Sequence, residues 1–160
     1  MSIIENRPYN ELKIGDSASL SRTLTEEDIK LFAIMSGDVN PAHVDPEYAA
    51  TSKFKKVIAH GMWSGNLIST VLGTMLPGPG TIYLNQSLRF VRPVGVGDTV
   101  TVTVQVAEMQ DEKHRLKLDC TVTNQNQEKV VTGVAEVIAP TEKISRQRIE
   151  LPAIRLVDKA

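Results

Sequence analysis

Gly61-Met62-Trp63-Ser64-Gly65-Asn66-Leu67-Ile68-Ser69-Thr70-Val71-Leu72-Gly73-Thr74-Met75-Leu76 is the stretch around which the rest of the chain is organised. Met62, Trp63, Leu67, Ile68, Val71, Leu72 and Met75 cover most of a helical circumference, so the spacing predicts a helix buried on nearly all sides. The small and polar exceptions, Asn66, Ser69 and Gly73, share one stripe. Pro77-Gly78-Pro79-Gly80 stops the helix. A helix this apolar needs a partner that surrounds it, and the flanking sequence supplies one.

Downstream the hydrophobic period changes from helical to alternating. Ile82, Leu84, Leu88 and Phe90 form one set, Val100, Val102, Val104 and Val106 a second, and Leu116, Leu118, Cys120 and Val122 a third. A last strand runs from Val130 to Ile138. Turn residues at 94–98, 111–113 and 124–127 separate these runs by hairpin lengths, which predicts four consecutive antiparallel strands. Upstream, Ser17 to Arg22 reads as a short strand. Thr25 reads as an N-cap, because Glu26, Glu27 and Asp28 follow where the helix dipole favours acids. That helix runs to about Ser36, ended by Gly37 and Pro41, with an irregular loop over 37–43 and a short helical piece from Pro46 to Thr51. The order predicts an α+β domain whose sheet wraps the central helix. Free strand edges then favour dimerisation.

Composition narrows the function. The 160 residues suit one domain, and 18 Lys+Arg against 19 Asp+Glu leave no basic field for nucleic acid. No apolar run approaches the roughly 20 residues of a membrane helix, and the polar N-terminus carries no secretory h-region. One cysteine excludes an intramolecular disulfide. His43, His60 and His114 show no HxxxH or CxxC spacing, so no metal site is expected. The expectation is a cytoplasmic domain over residues 1–139. Residues 140–160, with Arg146, Arg148, Arg155 and Lys159, read as an exposed basic tail or a linker to a further domain.

Asp38, Asn40 and His43 share the loop after the first helix, where a carboxylate and an imidazole can face one cavity. Turn formation alone also accounts for Asn40-Pro41. His60-Gly61-Met62 opens the central helix. There His60 reads as a cap and Gly61 as a site of close backbone approach; alternatively, free amides of Gly61 and Met62 bind a developing oxyanion. Ser69 is the weakest candidate by residue type, since a helical serine commonly bonds its own backbone.

The stretch Phe32-Ala33-Ile34-Met35-Ser36-Gly37-Asp38-Val39-Asn40-Pro41-Ala42-His43-Val44-Asp45 resembles the signature of the MaoC-like (R)-specific enoyl-CoA hydratases. The segments 60–62, 77–84, 88–94 and 96–98 resemble that family in the same order, so the likeness spans roughly residues 12 to 138. Ile58-Ala59-His60-Gly61-Met62-Trp63 and residues 137–144 are more narrowly similar to the N-terminal domain of bifunctional enoyl-CoA hydratase/phosphate acetyltransferases.

The resemblance implies a hot-dog fold, an antiparallel sheet wrapped around a long central helix, assembled as a homodimer or higher homo-oligomer. It implies reversible hydration of trans-2-enoyl-CoA to (R)-3-hydroxyacyl-CoA, with no cofactor and no metal. Asp38 and His43 become the acid/base pair that activates water, with Asn40 orienting their loop. Gly61 and Met62 become the oxyanion amides, and Ser69 a lining residue. In the bifunctional proteins a phosphate acyltransferase domain follows such a tail, so the narrower likeness implies either one domain of a longer fused protein or a free-standing relative. Two alternatives share the acyl-CoA ligand: a hot-dog acyl-CoA thioesterase and a noncatalytic acyl-CoA-binding domain. The Asp-to-His spacing argues for the hydratase, and a binding module has no need of both titrating groups.

Overall fold

The computed structural model describes residues 2–158; Lys159, counted with the basic tail, lies outside the described residues. Five strands form one antiparallel sheet: β2 (Ser17–Thr23), β3 (Ile82–Phe90), β4 (Thr99–Gln110), β5 (Arg115–Thr123) and β6 (Lys129–Ile138), in the order β2-β4-β5-β6-β3. A separate pair joins β1 (Ile3–Glu5) to β7 (Ser145–Gln147). Four helices, α1 (Glu26–Ser36), α2 (Pro41–Val44), α3 (Pro46–Thr51) and α4 (Gly61–Thr74), lie between β2 and β3 in the chain.

The alternating valines of β4 and the Leu116, Leu118, Cys120 and Val122 set of β5 all turn inward and are buried. They meet Ile68, Val71 and Leu72 of α4 in one core. Each such side chain stabilises the fold by about 1.5–3 kcal/mol on leaving water. The opposite face of the β2–β4 pair is polar. Its hydroxyls zip Ser19 to Thr103, Ser21 to Thr101 and Thr23 to Thr99 at 2.7–2.8 Å.

Three expectations change. First, β4, β5 and β6 are consecutive hairpins, but β3 pairs with β6 at the far edge instead of with β4. A bulge between Tyr83 and Asn85 breaks its alternation, and Ile82, Leu84 and Phe90 are exposed. Second, Met62 of α4 and Met75 at its C-cap are exposed with Asn66, Ser69 and Gly73, while Trp63, Ser64, Gly65, Leu67, Ile68, Val71 and Leu72 are buried, so the helix keeps one open stripe. Third, the chain beyond residue 140 is not free at once. The buried Asn6 side chain donates to the Pro79 and Glu142 carbonyls and accepts from Ile144 N–H, so the chain as far as β7 docks on the N-terminal segment. From Arg148 on, Ile149, Leu151, Ile154 and Val157 are exposed.

Candidate active site

The loop that carries Asp38 is set from both ends. Thr25 and Asp28 form a capping box at the start of α1, and Gly37 ends that helix in the left-handed region at φ 77°. Asp38 N–H then donates to Ser36 Oγ at 3.2 Å, and Asn40 N–H donates to Asp38 Oδ1 at 3.1 Å. Asn40 Oδ1 accepts from Ala42 N–H at 3.0 Å, which caps α2, with Pro41 at its first position. The expected irregular loop therefore contains a one-turn helix, and His43 sits in it.

This turn brings Asp38 and His43 together with His60, their polar atoms all within 4.8 Å of one another. His43 Nδ1 lies 2.8 Å from the Ile58 carbonyl oxygen. A carbonyl only accepts, so the proton is on Nδ1 and Nε2 of the neutral ring keeps its lone pair. His60 Nε2 likewise donates to the Asp38 main-chain oxygen at 2.9 Å, and its Nδ1 is buried without a hydrogen-bond partner. The His60 ring faces His43, with centroids 4.1 Å apart at 32°, and faces Phe32 at 4.8 Å and 31°. His60 stands at the N-cap position of α4, as its reading as a cap has it, but its side chain makes no capping bond.

Two imidazoles and a carboxylate are a familiar donor set for a divalent metal. Here one nitrogen of each ring is bound to a main-chain carbonyl, which leaves one nitrogen of each imidazole and the Asp38 carboxylate as the groups that a water or an ion could meet.

Gly61 and Met62 occupy the first turn of α4, where backbone N–H groups have no helical acceptor. A side chain at 61 would meet the Phe90 ring at 2.9 Å, so this is a place of close approach. Gly61, His43 and His60 line one cavity of about 300 Å³, together with Lys53 and Arg92. Met62 and Ser69 line a second, more apolar cavity of about 580 Å³ with Phe32, Leu84 and Leu88. Ser69 lies roughly 12 Å along α4 from Gly61, at 1.5 Å per residue. The structure thus brings Asp38 to His43 and His60, with Asn40 bonded to Asp38, places His43 and Gly61 on one cavity whose lining does not include Asp38 or Asn40, and sets Met62 and Ser69 on the other. Tyr83 also lines the second cavity. Burial, then the nearby Cys120, pushes its phenol up to about 12, so it stays protonated and donates to Gln86 Oε1.

An antiparallel sheet curled on one buried helix, with an Asp/His loop at that helix's N-terminal end, defines a hot-dog-fold protein. The chain belongs to the MaoC-like domain family, which matches residues 11–130. It is 52% identical over 134 residues to an (R)-specific enoyl-CoA hydratase of Rhodospirillum rubrum, covering 82% of this chain and 91% of that protein. It is 41% identical over 135 residues to a 3-hydroxybutyryl-CoA dehydratase of Methylorubrum extorquens, covering 84% and 85%. Among solved structures, the unliganded R-hydratase PhaJ1 of Pseudomonas aeruginosa superposes with a TM-score of 0.93 at 50% identity, covering 97% of this chain and 99% of that one.

Proposed function

We propose that this chain is an (R)-specific enoyl-CoA hydratase, a hydro-lyase that reversibly adds water to trans-2-enoyl-CoA and gives (R)-3-hydroxyacyl-CoA. The observation that carries this reading is the Asp38/His43 pair, with the His43 proton held on Nδ1 by Ile58. One water bridges the two groups. As its oxygen attacks the β-carbon, one of the pair takes its proton and a proton is delivered to the α-carbon. The thioester oxygen gathers negative charge as the enolate forms, and fixed backbone donors stabilise that charge better than mobile water. The Gly61 and Met62 amides take this role, and Asn40 orients the loop through its cap on α2. The acyl chain runs into the apolar cavity beside Ser69, and Lys53 and Arg92 face the CoA phosphates.

The functional unit is a homodimer or larger homo-oligomer. The free edge of β3, with Ile82, Leu84 and Phe90 exposed, supports it, as does the open stripe of α4. Among the described residues no helix is long and apolar enough to cross a membrane. The single buried Cys120 suits a reducing compartment, and we place the activity in the cytoplasm. A fused phosphate acyltransferase domain rests on the resemblance of residues 58–63 and 137–144, and docking on Asn6 gives residues 142–144 a place of their own on this domain.

The test follows the enoyl-thioester absorbance of purified protein with crotonyl-CoA and longer enoyl-CoA substrates. Wild type should consume the enoyl band and form the (R) alcohol, while Asp38→Asn and His43→Ala should not. Release of free thiol with the enoyl band intact would establish a thioesterase instead. Neither change, from folded protein, would leave a binding module.

A further inference from the structure

We propose that His60 is a positioning residue of the hydration site, setting the distance between Asp38 and His43 by touching both ends of their loop. The proposal rests on the hydratase reading above. Its Nε2–H holds the main-chain oxygen of Asp38 at 2.9 Å, and its ring carries His43 at 4.1 Å between centroids. The residue is 3% exposed and stands at the N-cap position of α4.

Neither helix capping nor ring packing accounts for an imidazole at this position. The side chain makes no capping bond to α4. The ring sandwich with Phe32 and His43 needs only a flat ring, and phenylalanine would provide one without burying a bare nitrogen. His60 Nδ1 is such a nitrogen, buried with no partner, and an unmet buried acceptor lowers stability. What an imidazole adds is the Nε2–H bond to the peptide that carries Asp38. Losing it frees that peptide to shift, and displacements near 1 Å at a reacting group cost on the order of 10²-fold in rate.

The experiment uses the full chain as wild type, His60→Phe and His60→Gln, with the enoyl-CoA that wild type turns over best. His60→Phe keeps a ring and removes the donor; kcat should fall about 10²-fold with KM little changed. His60→Gln places an amide N–H where Nε2 stood and should recover most of kcat. Wild-type kcat in His60→Phe, or a His60→Gln variant as slow as His60→Phe, would overturn the proposal. Nitrogen-15 NMR of histidine-labelled wild type needs no variant: a proton on His60 Nε2 with Nδ1 bare supports the bond, and the opposite tautomer overturns it. A wild type that hydrates no enoyl-CoA would sink the hydratase reading, and the tautomer would still judge the contact.

Discussion

His43 Nδ1 sits 2.8 Å from the main-chain oxygen of Ile58, and Ile58 N–H donates in turn to the Ala42 oxygen at 3.3 Å. Ile58, just before α4, therefore clasps α2 through both its N–H and its carbonyl oxygen. Ile58 is itself bridged to Gly95, and Ala59 N–H donates to Val94 oxygen at 2.8 Å, so the clasp is anchored in the β3–β4 connection. The tautomer of the His43 imidazole is thus set by backbone packing, and its Nε2 lone pair is ready to receive a proton.

In the proposed reaction Asp38 and His43 act on one water, so their contributions should not add. Asp38→Asn and His43→Ala should each lower kcat/KM by about 10²- to 10⁴-fold. The double variant should be little slower than the worse single one, as expected for groups that work as a unit. Steady-state hydration kinetics of the four proteins read this directly; fully multiplied losses would mean that the two groups serve separate steps.

Gly37 links α1 to Asp38 in the left-handed region, and nothing lies within 4 Å of where a side chain would start. Gly37→Ala should therefore cost backbone strain alone, about 1–2 kcal/mol. The strain falls one residue before Asp38, so kcat should drop more than the stability loss explains. Urea unfolding beside hydration kinetics separates the two; an unchanged kcat would show that the loop is held entirely from the His60 and Asn40 side.

The parts legible in the sequence are those governed by local period and caps. Leu67, Ile68, Val71 and Leu72 announce α4, Val100 to Val106 announce a half-buried strand, and Thr25 with Asp28 announces a helix start. Alternation tells which face of a strand is apolar but not which strand lies beside it, so it does not place β3 at the far edge. Asn40-Pro41 reads as a turn, although Asn followed by Pro is equally an N-cap with its first helical residue. The His60 contact spans 22 residues to a main-chain oxygen, and no spacing rule encodes that. The docking of residues 140–147 depends on Asn6, which sits in no periodic pattern at all.

Asp28 makes stability depend on acid pH. Burial pushes its carboxyl up, but Arg22 at 2.6 Å and the Thr25 N–H and hydroxyl outweigh that and hold it below the usual carboxylate range. In the unfolded chain the same group titrates near about 3.9. The folded state therefore binds this proton less tightly. The stabilisation is complete above about pH 4 and drains away as pH falls through the folded value. Asp28→Asn should lower stability at pH 7 by about 1 kcal/mol, a typical capping loss, and show a shallower further loss on acidification. Thermal melts between pH 7 and pH 3 check both; parallel curves for the two proteins would place the acid sensitivity at other carboxylates, such as Asp98.

Asn6 joins three segments that are far apart in the chain. Its amide N–H groups serve the Pro79 and Glu142 oxygens at 3.0 and 2.9 Å, and its oxygen receives Ile144 N–H at 2.9 Å. Lys143 Nζ adds a bond to the Asn6 main-chain oxygen at 2.8 Å. Asn6→Ala leaves two carbonyls and one N–H of a partly buried junction without partners, which should cost about 1–3 kcal/mol. The loss should be local, because the core around α4 and the central strands does not include this junction. Limited trypsin digestion reads it: cleavage after Lys143 and Arg146 should speed up in Asn6→Ala while hydration by the uncut protein persists. Unchanged protection would show that the β1–β7 pairing, Ile3 with Gln147 through Glu5 with Ser145, holds the tail without the Asn6 side chain.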